Sequence, residues 1–181
     1  MSIDLVRLAQ QGDRRAFENL VAGRIDRMYA SAALILHDRH WGEDATQEAL
    51  VRAWRSLPKL RDPDRFDGWL RQVLVHACID TARRTKHHRS DHELPMELAA
   101  DEQLESAVAD RDALGRAFAT LSIDHRAVFV LRHYFGHSVP ELADALKIRL
   151  GTAKSRLHYA EKAMAAAMNA EQQPLAEGGV G

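Results

Sequence analysis

The sequence predicts an all-α protein built as two small helical domains joined by an acidic linker. Nearly every segment with a hydrophobic period repeats at helical spacing, and no run alternates at the period of two that strands require. Between residues 89 and 109 the composition shifts: "RSDHELPMELAADEQLESAVA" holds six acids after a single arginine, a proline and only scattered large apolar residues, which reads as a linker. At 46% hydrophobic and 28% charged residues over 181 positions, the rest of the chain has enough apolar content for a folded core. A formal net charge of -1 would argue against a nucleic-acid partner if charge were spread evenly, but it is strongly segregated.

The first residues, "MSIDLVRLAQQGDRRAF", mix acids and bases within their first turns and lack the apolar core of a signal peptide. No apolar run approaches bilayer length. A cytoplasmic protein without membrane insertion is expected. The single cysteine, Cys78, excludes an internal disulfide framework and a four-cysteine zinc site. It is expected to pack between Val75 and Ile79.

The first domain is expected over residues 1–88. Phe17, Leu20, Val21, Met28, Ala32 and Leu36 trace one face of a long helix beginning after "GD", with Asp13 as its N-cap. From Trp41 to Leu57 a second helix carries two stripes. Trp41, Ala45, Ala49, Ala53 and Leu57 recur every four residues and face inward, while Asp44, Gln47, Glu48, Val51 and Arg55 line the other side. That second stripe is either a solvated face or a docking surface for a basic helix. From Lys59 to Arg89 eight Lys/Arg stand against four acids, a net charge of about +4. Phe66, Trp69 and His76 lie within this basic ground. Cations interleaved with aromatic rings suit a single nucleic-acid strand, with phosphates on the charges and bases stacked or pocketed. The alternative is that both rings belong to the core.

The second domain is expected over residues 110–170, and "EQQPLAEGGVG", residues 171–181, as a tail. In "SVPE", Ser138 and Glu141 have capping-box spacing, with Pro140 in the first turn. Val139, Leu142, Ala143 and Leu146 give this helix one apolar face. After Gly151 a second helix buries Ala153, Leu157, Ala160 and Met164. Two short helices joined by a tight turn outline a helix-turn-helix. At 100° per residue, Thr152, Ser155, His158, Tyr159 and Lys162 then point outward, with Lys154 and Arg156 on the flanks. Such a polar, cationic face suits a major groove; the alternative is an ordinary solvated face.

Other chemistries find little support. "LGTAKS" has one glycine between two helices, whereas a phosphate loop needs two glycines after a strand. His87, His88 and His92 with Cys78 have no recognised zinc spacing, so no metal is expected. No dinucleotide fingerprint, zincin motif or nucleophile elbow is present. Neither a cofactor nor an enzymatic activity is expected.

The order of motifs now identifies a family. "LRHYF", "GHS", "PELADAL" and "GTAKSR", the last spanning Gly151 to Arg156, closely resemble region four of bacterial sigma factors of the extracytoplasmic-function group. "GEDATQEALVRAWRSLPKL", Gly42 to Leu60, resembles the region two helix that binds the clamp helices of the polymerase's largest subunit. "FDGWLRQVLVHACIDTARR", Phe66 to Arg84, resembles the helix that engages the downstream promoter element. The resemblance covers about Asp4 to Met164.

The resemblance implies a dissociable initiation subunit of RNA polymerase that directs promoter-specific transcription, with promoter DNA, core polymerase and an anti-sigma factor as partners. By it, Asp44, Gln47, Glu48 and Val51 bind the polymerase. Arg61, Phe66, Trp69, His76, Asp80, Arg83 and Arg84 meet downstream promoter DNA, and the linker threads through the polymerase. Arg149, Thr152, Lys154, Ser155, Arg156, His158 and Lys162 meet the upstream element. Three positions depart from the family pattern: His76 stands where asparagine is usual, Lys147 where glycine is common and Arg149 where serine is common. The base-capturing loop "RDPDRFD" is also more acidic than usual. Two rivals are an autonomous helix-turn-helix regulator, which would bind operator DNA alone as a two-fold dimer, and a phosphate-handling enzyme, which would need a catalytic constellation.

Overall fold

The computed structural model describes residues 2–85 and 115–171. The expected linker and most of the expected tail lie outside these residues, as do His87, His88 and His92. Within them the architecture is helical: α1 (Ser2–Gln10), α2 (Arg14–Ala22), α3 (Ile25–Leu36), α4 (Arg39–Ser56) and α5 (Phe66–Thr85) form an N-terminal unit. Residues 115–120 (α6), α7 (Ile123–Phe129), α8 (Val139–Leu146) and α9 (Leu150–Glu171) form a C-terminal one.

The long helix expected after Asp13 is two helices. Asp13 caps α2 as anticipated, its carboxylate accepting from the Ala16 N–H at 3.1 Å. The helix stops at Gly23 and restarts at Ile25. Arg24 accounts for the break: its guanidinium donates to the Leu20 carbonyl and, at 2.6 Å, to Asp67 at the start of α5. A side chain that satisfies the orphan carbonyls of a helix end removes the penalty for stopping there. The apolar stripe continues across the break because both pieces pack on the same core, so the sequence period alone conceals it. α1 lies ahead of the expected helix, burying Val6 and Ala9; Gln10 ties it to the 3-10 turn that follows α4, Leu57–Lys59, by donating to the Leu60 carbonyl at 2.7 Å.

α3 ends on His37 in the left-handed conformation, φ 53°, and Asp38 immediately caps α4 by accepting from the Trp41 N–H at 2.9 Å. Ala45, Ala49, Ala53 and Leu57 are fully buried, so the inward stripe lies where its spacing put it. Small residues there let the helices approach closely. Closest is Gly42, where an added Cβ would stand 2.8 Å from the Ala33 backbone. α5 runs through the middle of the unit, with buried residues from Phe66 to Thr85 on several sides.

In the C-terminal unit Ser122 caps α7, which loosens into one π-helical turn, Val130–Tyr134. Gly136, at φ 73°, then reverses the chain, and the Ser138–Glu141 capping box opens α8 as the sequence predicts. The two units touch. Arg27 of α3 donates to the Tyr134 carbonyl at 2.7 Å, and the Phe135 ring lies within reach of two guanidinium carbons, Arg27 at 5.3 Å and Arg71 at 5.0 Å.

Candidate polymerase and promoter surfaces

The α4 stripe is a groove rather than a flat face. Asp44, Gln47, Glu48 and Val51 form one wall, with Trp41 at its end, and Thr81, Arg84 and Thr85 of α5 form the other, around a cavity of about 540 Å³. Val51 is 44% exposed, an apolar side chain left uncovered amid carboxylates and an amide. The groove can therefore accept a partner helix that brings cations for the acids and methyl groups for Val51.

Arg52 joins this groove to α5. Its Nε donates to Glu48 at 2.8 Å and its Nη1 donates to Asp80 at 2.6 Å. The Arg52 hydrogen bond holds the Glu48 carboxyl below the usual carboxylate value, and the Arg84 and Arg55 charges act in the same direction. Sequence reasoning missed Arg52, although its place four residues after Glu48 was the available signal. The bridge also involves Asp80. That carboxylate accepts from Arg52 and ties α5 to α4, while 43% of its side chain stays exposed.

Trp69, His76 and Arg83 recur every seven residues and share one stripe of α5. Arg83, Arg84 and Arg61 are exposed and Trp69 is half-buried. Phe66 corrects the role the resemblance implies and follows the alternative that its ring belongs to the core. Its ring is 2% exposed, lies 5.8 Å from the Trp69 ring and sits under the Arg24 guanidinium. A ring so enclosed belongs to the core and offers no face to a base. His76 is half-buried as well; burial first, then the Lys147 charge, keeps its imidazole below the ordinary value of 6.5. Lys147 belongs to the C-terminal unit, so His76 lies at the seam between the two units. Within "RDPDRFD", Asp62 accepts from the Asp64 N–H at 3.1 Å and Asp67 pairs with Arg24 at 2.6 Å.

On α9, Lys154, Ser155, His158 and Lys162 are exposed, Thr152 is half-buried, and Arg149 stands exposed just before the helix. Lys147 takes the left-handed conformation, φ 54°, at the end of α8, the position where glycine is common in the resembling family. Arg156 is not free on its flank: it pairs with Asp124 of α7 at 3.0 Å with 27% of its side chain exposed. Tyr159 is 57% exposed and its ring stacks on His125 at 4.5 Å, while Ser122 Oγ and His125 Nδ1 lie 2.8 Å apart. Asp124 and His125 thus brace two side chains of the outward face. Both come from another helix, and the spacing within α9 carries no sign of them.

Among the described residues no group of three or more His, Cys, Asp or Glu side chains is placed to hold a metal. No helix among them is long and apolar enough to cross a membrane.

Comparison with known proteins matches one family region to each unit. The family described as Sigma-70 region 2 matches residues 18–88, and Sigma-70, region 4 matches residues 111–164. The ECF RNA polymerase sigma factor SigM of Mycobacterium tuberculosis is 31% identical over 156 residues, covering 85% of this chain and 78% of SigM. SigW of Bacillus subtilis is 27% identical over 175 residues, covering 88% and 92% respectively. Among solved structures, CnrH in complex with the cytosolic domain of CnrY shares 25% identity at a TM-score of 0.64, covering 94% of this chain and 98% of that one. The sigma factor RpoE, in complex with the anti-sigma factor NepR from Bartonella quintana, has the same fold at a TM-score of 0.67 and 21% identity, covering 84% of this chain and 96% of that one. With two regions matched in order along a helical chain, and a relative matched over most of its own length, this protein belongs to the ECF RNA polymerase sigma factors of the sigma-70 family.

Proposed function

We propose that this chain docks on core RNA polymerase through the α4–α5 groove and directs promoter-specific initiation by reading DNA with two further surfaces. Asp44, Gln47, Glu48 and Val51 receive a basic helix of the polymerase, with Arg52 holding Glu48 in place. Trp69, Arg61, Arg83 and Arg84 engage the downstream element as its strands separate. Opening a duplex without nucleotide hydrolysis requires trapping a displaced base, and the half-buried Trp69 amid cations is suited to that. Arg149, Thr152, Lys154, Ser155, Arg156, His158 and Lys162 meet the upstream element. In this reading the chain performs no covalent chemistry, needs no cofactor and works in the cytoplasm. A protein inhibitor of the anti-sigma class, such as the one bound to RpoE, is its counterpart and masks the surfaces the polymerase needs.

The observation that carries the reading is that one chain holds both matched regions, each with a polar face that its own core does not consume. Reconstituted transcription with purified bacterial core polymerase tests it. The chain is expected to form a complex with core and yield discrete transcript starts, and Asp44→Arg with Glu48→Arg to abolish the complex while the chain stays folded. Failure of the unaltered chain to associate with core at any salt concentration overturns it. For the melting role, Trp69→Ala with Arg83→Ala is expected to slow open-complex formation at least about tenfold, equivalent to about 1.4 kcal/mol of barrier.

A further inference from the structure

The seam between the two units contains a second cavity, of about 360 Å³, lined by Gly23, Arg24, Arg27, Asp67, Arg71 and Phe135 among others. Its charges do not balance. Three guanidinium groups meet one carboxylate, and that carboxylate is already paired with Arg24 at 2.6 Å. Arg27 spends one nitrogen on the Tyr134 carbonyl. Among the described residues, neither Arg27 nor Arg71 has a carboxylate within 4.0 Å; what both have is the ring of Phe135. Burial works against the Arg71 charge; Asp67 supports it, and the neighbouring charges of Arg27 and Arg24 oppose it. Cations gathered in one cleft and outnumbering its single carboxylate repel one another, and an anion placed among them relieves that repulsion. The planar donor forks of arginine match phosphate oxygens in pairs.

We propose that this cleft binds a small phosphate-class anion, orthophosphate or pyrophosphate in size, between Arg27 and Arg71, and that the bound anion holds the two units together. Phe135, from the C-terminal unit, supplies one wall, and the Tyr134 carbonyl orients Arg27. Both are lost if the units part. The anion therefore binds the closed arrangement more tightly and shifts the population toward it by that difference. That wall also places the site inside the seam, which favours a free anion over the backbone of a continuous strand. This inference does not depend on how the α4 groove or the α9 face is read.

The test is calorimetric titration of the full chain with pyrophosphate at fixed ionic strength, chloride being the balancing anion. Saturable binding with one site is expected, weakened at least about tenfold by Arg71→Gln or Arg27→Gln, a loss of about 1.4 kcal/mol, and unchanged by Arg14→Gln on the exposed side of α2. Pyrophosphate should also raise the unfolding temperature of the native chain and leave that of Arg71→Gln unmoved. Should either arginine variant fail to unfold cooperatively, Phe135→Leu, which keeps apolar packing and loses the ring, is expected to weaken binding in its place. The proposal is overturned if pyrophosphate does no more than chloride, or if the variants bind it as the native chain does. It is also overturned if a short single-stranded DNA, and no small anion, binds with dependence on Arg71, because the cleft would then be part of the promoter surface.

Discussion

The two helices proposed to meet promoter DNA are built in opposite ways. α5 is enclosed over much of its circumference: Leu70, Leu74, Val75, Ala77, Cys78 and Ile79 are all buried, and the stripe proposed for promoter DNA runs through half-buried Trp69 and His76 to exposed Arg83 and Arg84. α9 packs along a single line of Ala153, Leu157, Ala160 and Met164 and displays Lys154, Ser155, His158, Tyr159 and Lys162. A helix that is also the centre of its unit cannot vary its outward residues without disturbing its neighbours. A helix docked along one edge can. Changes in α5 should therefore mix folding with function, whereas changes in α9 should separate them.

The largest expected effect breaks the comparison most directly. Leu74→Ala in α5 should cost about 2 to 5 kcal/mol, the usual range for emptying a well-packed leucine site, whereas Tyr159→Ala on α9 should stay within about 0.5 kcal/mol. Urea unfolding of both variants reads the difference, and equal costs would mean that α5 is not enclosed. Next is Lys147→Gly, expected to raise stability by about 0.5 to 1 kcal/mol because a side chain in the left-handed region is strained and glycine is not. Asp124→Ala should leave folding nearly unchanged, since exposed ion pairs contribute about 0 to 1 kcal/mol, yet weaken upstream-promoter binding a few-fold by letting Arg156 swing. Its companion, Arg149→Ala, sharpens the assignment: removing one phosphate contact should lower the magnitude of the salt slope of promoter binding by about 0.9, and an unchanged slope would place Arg149 away from the backbone.

The smallest effect concerns pH and the seam. His76 and His137 both sit below the ordinary value of 6.5, first through burial and then through a nearby cation, Lys147 for His76 and Arg71 for His137; Asp80 and Glu141 oppose these shifts. With the folded value below the unfolded one, the unfolded chain binds more protons in the window between them, so stability rises with pH there. The stabilisation is fully present above 6.5 and lost as pH falls through the folded values. Urea midpoints at about pH 5.5 and about pH 7.5 should differ in that sense, and His76→Asn should narrow the gap.

What the sequence made legible follows the range of the interaction. The Ser138–Glu141 capping box, the Asp13 cap, the Ala45–Ala49–Ala53 stripe and the outward face of α9 depend on residues a turn or two apart, and each was found where its spacing put it. The break at Gly23 was hidden because Arg24 is satisfied by Asp67, a partner 43 positions away. Phe66 follows the core alternative that the residues themselves offered and departs from the role the resemblance implied, with Arg24 and Trp69 closing over it. Nor did any local pattern announce that Asp80 would turn onto Arg52, that Asp124 would hold Arg156, or that Phe135 would lie against two arginines of the other unit. Periodicity reports which side of a helix is apolar; it does not report which polar groups meet across helices.

The lone thiol has a practical consequence. Cys78 is completely buried in α5, and burial pushes its ionisation up to about 12, so at neutral pH it is neither accessible nor in the reactive thiolate form. Maleimide dyes and spin labels should pass it by in the native state. Pairs of surface cysteines placed one on each unit can then be labelled without first removing the natural one, which opens the distance between the units to direct spectroscopic measurement.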